Sequence, residues 1–255
     1  MRQDERGPFR AALGRARAAA YPPGEYVGQE SFMRADEILR LALQAGIGPG
    51  VEVLDLCCGV AGPGRFITAE LGCRYLGVDG SASAVEIARG LAGDLSCRFE
   101  QRHLPPLPDS RVDVVLLLET ILAFPDKRTL LAGVARTLLP GGRFACTVEE
   151  GRPLTPAEQG DMPDADTVRL VELAELTALL DEVGLTVTWQ EENTKEHQAT
   201  AAALLGSYRA HAAEIAGQVG TRAVHELIAA HQLWSDWLGS GRVRKFALVA
   251  EKRRG

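Results

Sequence analysis

Short apolar runs rich in Val, Leu and Ile recur along the chain, and most are followed by a segment with apolar residues at helical spacing. The runs are Glu52-Val-Leu-Asp-Leu56, Arg74-Tyr-Leu-Gly-Val78, Cys97-Arg-Phe-Glu100, Val112-Asp-Val-Val-Leu-Leu-Leu118, Arg143-Phe-Ala-Cys-Thr-Val148, Thr186-Val-Thr-Trp-Gln190 and Phe246-Ala-Leu-Val-Ala250. They predict seven strands. Helical patterns lie between them at 64–71, 83–91, 126–138 and 171–183, each closed by Gly, Pro or a turn cluster. Leu139-Pro-Gly-Gly142 reads as a stop before the fifth strand. The alternation predicts an α/β fold, a Rossmann-like, mostly parallel sheet with helices on both faces.

Two stretches fall outside the alternation. Residues 30–45 carry Phe32, Ile38, Leu39 and Leu43 at helical spacing, which predicts an extra helix across the ligand side of the sheet. Residues 198–238 form a long Ala-rich helical pattern where a compact sheet needs only a hairpin, so they are a candidate lid and substrate wall. The expected division is a capping segment and helix at 1–45, a core at 46–197, a helical insertion at 198–240 and a closing strand at 241–255.

Composition narrows the class. The 255 residues are 46% hydrophobic and 24% charged, the balance of a globular chain that can bury a sizeable core. Net charge is -6 and the basic residues are scattered, which argues against a nucleic-acid substrate. The basic segment from Arg2 to Arg17 lacks the apolar run of a secretory signal, and no stretch has the length to cross a bilayer. A cytoplasmic protein with no membrane partner is expected. The five cysteines show no repeated ligand spacing, so reduced thiols and no metal are expected.

Chemistry enters after the first strand, which runs into Asp55-Leu-Cys-Cys-Gly-Val-Ala-Gly-Pro-Gly64 and then a helix. Small residues there let the backbone approach a ligand, and ligands of open α/β sheets sit beyond the carboxyl ends of strands. Asp79, at the end of the next strand, can accept both hydroxyls of a ribose. Dinucleotide loops keep three glycines to seat a pyrophosphate and lack an acid inside the first strand. Asp55 occupies that place, which suits a ligand bearing an amine and a sulfonium.

Val53-Leu-Asp-Leu-Cys-Cys-Gly59-Val-Ala-Gly62, Leu76-Gly-Val-Asp79, Phe124-Pro-Asp-Lys and Leu139-Pro-Gly-Gly142 resemble, in order and spacing, the motifs of class I S-adenosylmethionine (SAM)-dependent methyltransferases of the small-molecule type. The resemblance spans about 30–148 plus the C-terminal strand pair. It implies a seven-stranded sheet whose last strand inserts antiparallel, SAM as cofactor and S-adenosylhomocysteine as product. It places Cys58, Gly59 and Gly62 near the methionine moiety, Asp55 on the loop or the amino group, and Asp79 on the ribose. Gly80, Ser81 and Ala82 fall near the adenosine. Leu117, Leu118 and Glu119 fall at the methionyl end and substrate doorway. Cys57 and Ala61 stand where the family has glycines, and Arg102 and His103 stand where an adenine-contacting Asp is common. Tyr26 and Gln29 precede the capping helix, in a segment that closes over SAM in similar enzymes, and are candidate cofactor contacts.

Methyl transfer from a sulfonium needs alignment, exclusion of water and, for a hydroxyl acceptor, a base. Glu119 and Glu149 follow strands that point to the pocket mouth, and His197 sits where the helical insertion begins; these are the candidate catalytic residues. Each is equally at home as a cap, a solvated turn or a helix start. Trp234 and Trp237, at helical spacing beside His231, read first as packing. Residues 151–163 form a polar, proline-punctuated candidate gate. The leading expectation is methyl transfer to an oxygen or nitrogen of a small molecule, such as a specialised metabolite, by a monomer or homodimer. Two alternatives stay open: a SAM-binding fold that promotes a non-methylating reaction such as cyclisation, and a non-enzymatic SAM-binding scaffold.

Overall fold

The computed structural model describes residues 6–254, so the Arg2 end of the basic segment and the last residue lie outside the description. The seven strands form one sheet in the order β3-β2-β1-β4-β5-β7-β6. They are β1 (Glu52–Leu56), β2 (Arg74–Asp79), β3 (Cys97–Gln101), β4 (Val112–Leu117), β5 (Leu138–Glu150), β6 (Leu185–Glu192) and β7 (Arg244–Lys252). β1 is parallel to both β2 and β4, so strand order reverses at β1 and the crevice beyond its carboxyl end is the place for a ligand. β7 runs antiparallel between β5 and β6.

Helices cover both faces. On one face, α2 (Ala35–Gln44), α3 (Gly62–Leu71) and α4 (Ala82–Leu91) bury Ile38, Leu41, Ile67 and Val85 against Tyr75, Ala145 and Val249 of the sheet. On the other, α5 (Lys127–Thr137) and α7 (Leu173–Glu182) bury Leu130, Leu131, Val134, Leu176 and Leu180 against Leu54, Phe144 and Leu248. The caps are local in sequence. Ser81 Oγ accepts from the Ala84 N–H at the start of α4, and Asp126 accepts from the Thr129 N–H at the start of α5.

A helical lobe sits apart from these layers. It comprises α1 (Arg6–Ala20), α8 (Thr194–Ala210), α9 (Ala212–Val219) and α10 (Thr221–Ser240), with Ala12, Ala16, Leu204, Tyr208, Ile215 and Val224 in one apolar cluster. A second cluster joins Trp237 and Leu238 of α10 to Leu154, Met162 and Val168 of the 151–170 segment, within which lies the short α6 (Pro156–Asp161). The segment expected as a gate is anchored at both its cap and its flank. Thr155 and Glu158 form a reciprocal cap on α6, and Arg242 grips Glu158 through two bonds of 2.7 and 3.0 Å.

The structure corrects four expectations. The helix expected at 30–45 starts at Ala35 and lies on the sheet face, because its apolar stripe of Ile38, Leu41 and Ala42 has a partner there and none over the ligand crevice. The preceding segment, around Gly28–Met33, closes the crevice instead. Leu139–Gly142 is a bulge inside β5 rather than a stop before it: Val112 pairs with Leu138 while Val114 pairs with Arg143. The single Ala-rich stretch breaks at His211 and at Gly220, whose φ of 87° lies in the region that favours glycine, and it begins four residues early, which places His197 inside α8.

Candidate active site

The loop after β1 folds around three left-handed residues, Cys57 (φ 60°), Gly59 (φ 54°) and Ala61 (φ 55°). Cys57 and Ala61 hold the turn that the glycines of the family motif hold, at the steric cost a Cβ carries there, about 1–2 kcal/mol per residue. Close packing explains the glycines that remain. A Cβ on Gly62 would lie 2.5 Å from the backbone of Gly28, and one on Gly64 would enter the ring of Tyr75. A Cβ on Gly59 meets nothing within 4 Å. That space belongs to a cavity of about 280 Å³ lined by Gly28–Ser31, Asp55, Cys57–Pro63, Asp79 and Leu118–Thr120.

Asp79 faces this cavity with its carboxylate held in place. One oxygen accepts from the Gly59 N–H at 2.9 Å, the other from the Ser81 N–H at 2.8 Å. Each keeps a lone pair free for a hydroxyl donor. Asp55 is buried behind the loop, where Tyr75 donates its hydroxyl to Oδ2. Burial raises its pKa to about 7, against the pull of that hydrogen bond. Asp55 therefore fastens Tyr75, and Tyr75 lies on Gly64: the acid shapes the loop from within.

Of the expected cofactor contacts, Asp55, Cys58, Gly59, Gly62, Asp79, Leu118 and Glu119 line the cavity. Gln29 lines it too, but its side-chain amide is used within its own loop, donating to Glu25 and Met33 carbonyls and accepting from the Val27 N–H. It staples the closing segment. Tyr26 does not line the cavity; its ring lies 5.4 Å from that of Tyr21, on the lobe side. Gly80, Ser81, Arg102 and His103 gather beyond Asp79, outside the cavity wall, where the Arg102 N–H bonds the Asp79 carbonyl at 2.8 Å.

A second cavity of about 380 Å³ lies between the sheet and the helical lobe. Glu30, Ser31, Glu119 and Thr120 line both cavities, so the two adjoin. Its apolar walls include Phe32, Leu122, Met162, Leu204 and Trp234. Trp237 instead packs edge-on behind Trp234, in the core. His231 also lines it, with Nδ1 bonded to the Leu227 carbonyl and burial lowering its pKa.

A charged cluster forms the floor. Glu149 and Lys245 are cross-strand partners in the β5–β7 ladder, and the Lys245 ammonium donates to Glu149 Oε1 and, at 2.6 Å, to Glu119 Oε1. Burial disfavours the Lys245 ammonium, yet the two carboxylates hold its pKa above the ordinary value. Burial opposes ionisation of Glu119 too, but Lys245 and His197 bring its pKa below the usual range. Glu149 moves the other way, raised by burial and by Glu119 against the pull of Lys245. Its Oε2 is buried with no hydrogen-bond partner among the described residues. Glu119 itself sits at φ 59°, a strained conformation of the kind that gathers at functional sites.

His197 does not reach either cavity. It is 1% exposed, its Nε2 lies 2.8 and 2.9 Å from the Glu37 carboxylate, and its Nδ1 is 4.0 Å from Glu119 Oε2. The expected base thus stands one layer behind the doorway, because α8 begins early and turns the ring toward α2. Asn193 donates to the same Glu37 at 3.0 Å.

Residues 54–146, which hold the left-handed loop, Asp79 and Glu119, match the family model described as a methyltransferase domain. The chain carries a methyltransferase domain. A sterol 24-C-methyltransferase of Gibberella zeae is 34% identical over 45% of this chain and 32% of its own length. A cycloartenol-C-24-methyltransferase of Arabidopsis thaliana is 29% identical over 66% of this chain and 54% of its own. The chain thus spans about a third to a half of these curated relatives. The solved structure of a cyclopropane synthase from Mycobacterium tuberculosis superposes with a TM-score of 0.76, at 14% identity, over 96% of this chain and 93% of that one. The fold is that of the class I methyltransferases, whose cofactor is SAM, and the cavity of the methyltransferase domain fits that cofactor: open space over Gly59 and a preset Asp79 carboxylate.

Lys245 and Glu37 were missed around the methyltransferase domain, although a signal existed for each. Lys245 alternates with Val243, Ala247 and Val249 on one strand face, all buried, so it is a lysine in an apolar register. Glu37 shares the buried stripe of α2 with Ile38 and Leu41. No helix among the described residues is long and apolar enough to cross a membrane, and no described group of His, Cys, Asp and Glu is placed to hold a metal.

Proposed function

We propose that this chain transfers the methyl group of SAM to an oxygen or nitrogen atom of a small molecule, a specialised metabolite, releasing S-adenosylhomocysteine. The observation that carries this reading is the shared wall: Glu30, Ser31, Glu119 and Thr120 border both the cofactor cavity and the lobe-covered cavity beside it. Bound SAM supplies a methyl carbon activated by a neighbouring sulfonium. The Gly59 loop and Asp79 hold the cofactor, with Gly80, Ser81, Arg102 and His103 on the adenosine side. The second cavity holds the acceptor, and its apolar walls exclude water from the reacting atoms. Glu119 and Glu149 face that cavity as the groups that bind or accept a proton of the acceptor, and His197 stands behind Glu119, its Nδ1 4.0 Å from Oε2.

The lobe of α1 and α8 to α10 acts in this reading as the acceptor wall, and the sheet with its closing strand β7 as the core. The protein works in the cytoplasm as a monomer or homodimer, an assembly that light scattering on the purified chain reads directly. The deciding experiment incubates the protein with methyl-labelled SAM and a panel of small hydroxyl and amine acceptors. S-adenosylhomocysteine formed only with an acceptor supports transfer. Tight SAM binding with no turnover across a broad panel favours a SAM-binding fold with non-methylating chemistry.

A further inference from the structure

The second cavity is acidic at its floor and mouth and aromatic along its side. Its lining carries two basic side chains, Arg17 and Lys245, against four acidic ones, Glu30, Glu119, Glu149 and Asp164. Both basic groups are already engaged. Arg17 bonds Glu30 at 2.5 Å and the Tyr208 hydroxyl at 3.2 Å, and Lys245 is shared between Glu119 and Glu149. Among the described residues, two buried polar atoms of the lining have no hydrogen-bond partner: Thr120 Oγ1, a hydroxyl that can itself donate, and Glu149 Oε2, an acceptor on a residue 4% exposed.

A buried carboxylate oxygen without a donor costs free energy that a ligand donor recovers. The charge count decides which donor. Around Lys245 the two carboxylates of Glu119 and Glu149 face one ammonium, and behind them Glu37 faces His197. Even counting His197 as a cation, the group joined by these contacts keeps one excess negative charge; Lys127 acts on Glu149 only from outside it, its ammonium donating to the Phe124 and Arg169 carbonyls, and an uncompensated buried charge is expensive. A cation completes it, an alcohol leaves the excess in place, and a carboxylate doubles it. Phe32, Tyr208 and Trp234 line the same cavity, and aromatic rings accommodate a cation with an apolar body.

We propose that the acceptor bound in this cavity is an amine carrying an apolar body, seated as its ammonium on Glu149 Oε2. This assignment rests on the reading of the second cavity as the acceptor site. An ammonium N–H proton passes to Glu149 Oε2, and the electron pair of that N–H bond stays on nitrogen as the lone pair that accepts a methyl group. Glu149 is neutral after the step and returns its proton to solvent when product leaves. The raised pKa of Glu149, from burial and Glu119, suits it to that exchange.

The test is calorimetric titration of the wild-type protein, without SAM, by three probes of one shape: 2-phenylethylamine, 2-phenylethanol and 3-phenylpropionate. The amine should bind at least ten-fold more tightly than the alcohol, and the carboxylate most weakly. Glu149→Gln should bring the amine down to the alcohol's affinity while SAM affinity, measured separately, stays within two-fold. Equal affinity for amine and alcohol in the wild type overturns the proposal without any variant, and so does a folded Glu149→Gln that still prefers the amine. Methylation is read apart from binding. An amine that binds selectively but never yields S-adenosylhomocysteine would sink methyl transfer and leave the amine site standing.

Discussion

The cavity over Gly59 is shaped mainly by the tight loop after β1, closed by the 28–33 segment, whereas the cavity beside it is made of side chains from the loop after β4, from β5 and β7, the helical lobe and the 151–170 segment. In the first, position depends on small residues and φ angles: Gly59 leaves space open, Gly62 lets the Gly28 segment close, and Cys57 and Ala61 tolerate a left-handed turn. In the second, position depends on charge balance, with Lys245 between Glu119 and Glu149 and His197 between Glu119 and Glu37. A site of the first kind tolerates loss of a side chain contact and fails on an added methyl. One of the second kind fails when a single charge is removed, because the partner is left buried and unpaired.

The largest effect expected from that contrast is Lys245→Met, which strands Glu119 and Glu149. It should lower stability by about 3–5 kcal/mol in urea denaturation, and adding Glu149→Gln should recover part of the loss; a Lys245→Met protein as stable as the wild type would erase the distinction between the cavities. Next comes Asp79→Ala. It should weaken SAM binding by about 1–3 kcal/mol, the range for hydrogen bonds to a charged group, while 2-phenylethylamine affinity is unchanged. Unaltered SAM affinity in the folded variant removes Asp79 from the site.

Asp55 supplies a pH signature for the loop. Its carboxyl has a folded pKa of about 7, above the ordinary value of 3.8, so the native state holds a proton that the unfolded chain has lost across that window. Stability from this group is full below pH 4 and falls as pH rises toward 7, by about 1.4 kcal/mol per pH unit at the steepest. Asp55→Asn keeps the acceptor for Tyr75 and removes the titration, so the variant should gain on the wild type across pH 4–7 in denaturant melts. A constant difference would show that Asp55 is not held in this way. The smallest change is Cys57→Gly, which relieves a left-handed Cβ at the expense of chain entropy and should shift stability upward by about 1 kcal/mol or less.

The same division separates what could be read early from what could not. Seven strands and the Gly59 loop followed from local patterns, since strand runs, turn glycines and caps such as Ser81 and Asp126 act within a few residues. Glu119 and Glu149 were legible from the rule that ligands sit beyond strand ends. The seat of His197 was not, because it depends on where α8 starts: the Lys245 N–H bonds Thr194 Oγ1 and the Asn193 N–H bonds the Lys245 carbonyl, contacts between segments some fifty residues apart. The role of α2 was misjudged for a related reason, since an amphipathic stripe says that a helix is buried but not against what.

The amino-acid sequence by itself determined the methyltransferase-type sheet and the backbone loop that receives the cofactor, because those features follow from short-range sterics and periodicity. Only the tertiary structure decided the cavity beside it. Glu149 and Lys245 lie 96 residues apart and meet through antiparallel register, and Glu37 and His197 lie 160 apart and meet through helix packing. Their charges acquire meaning only when burial withdraws water from all of them together, and burial is a property of the assembled fold.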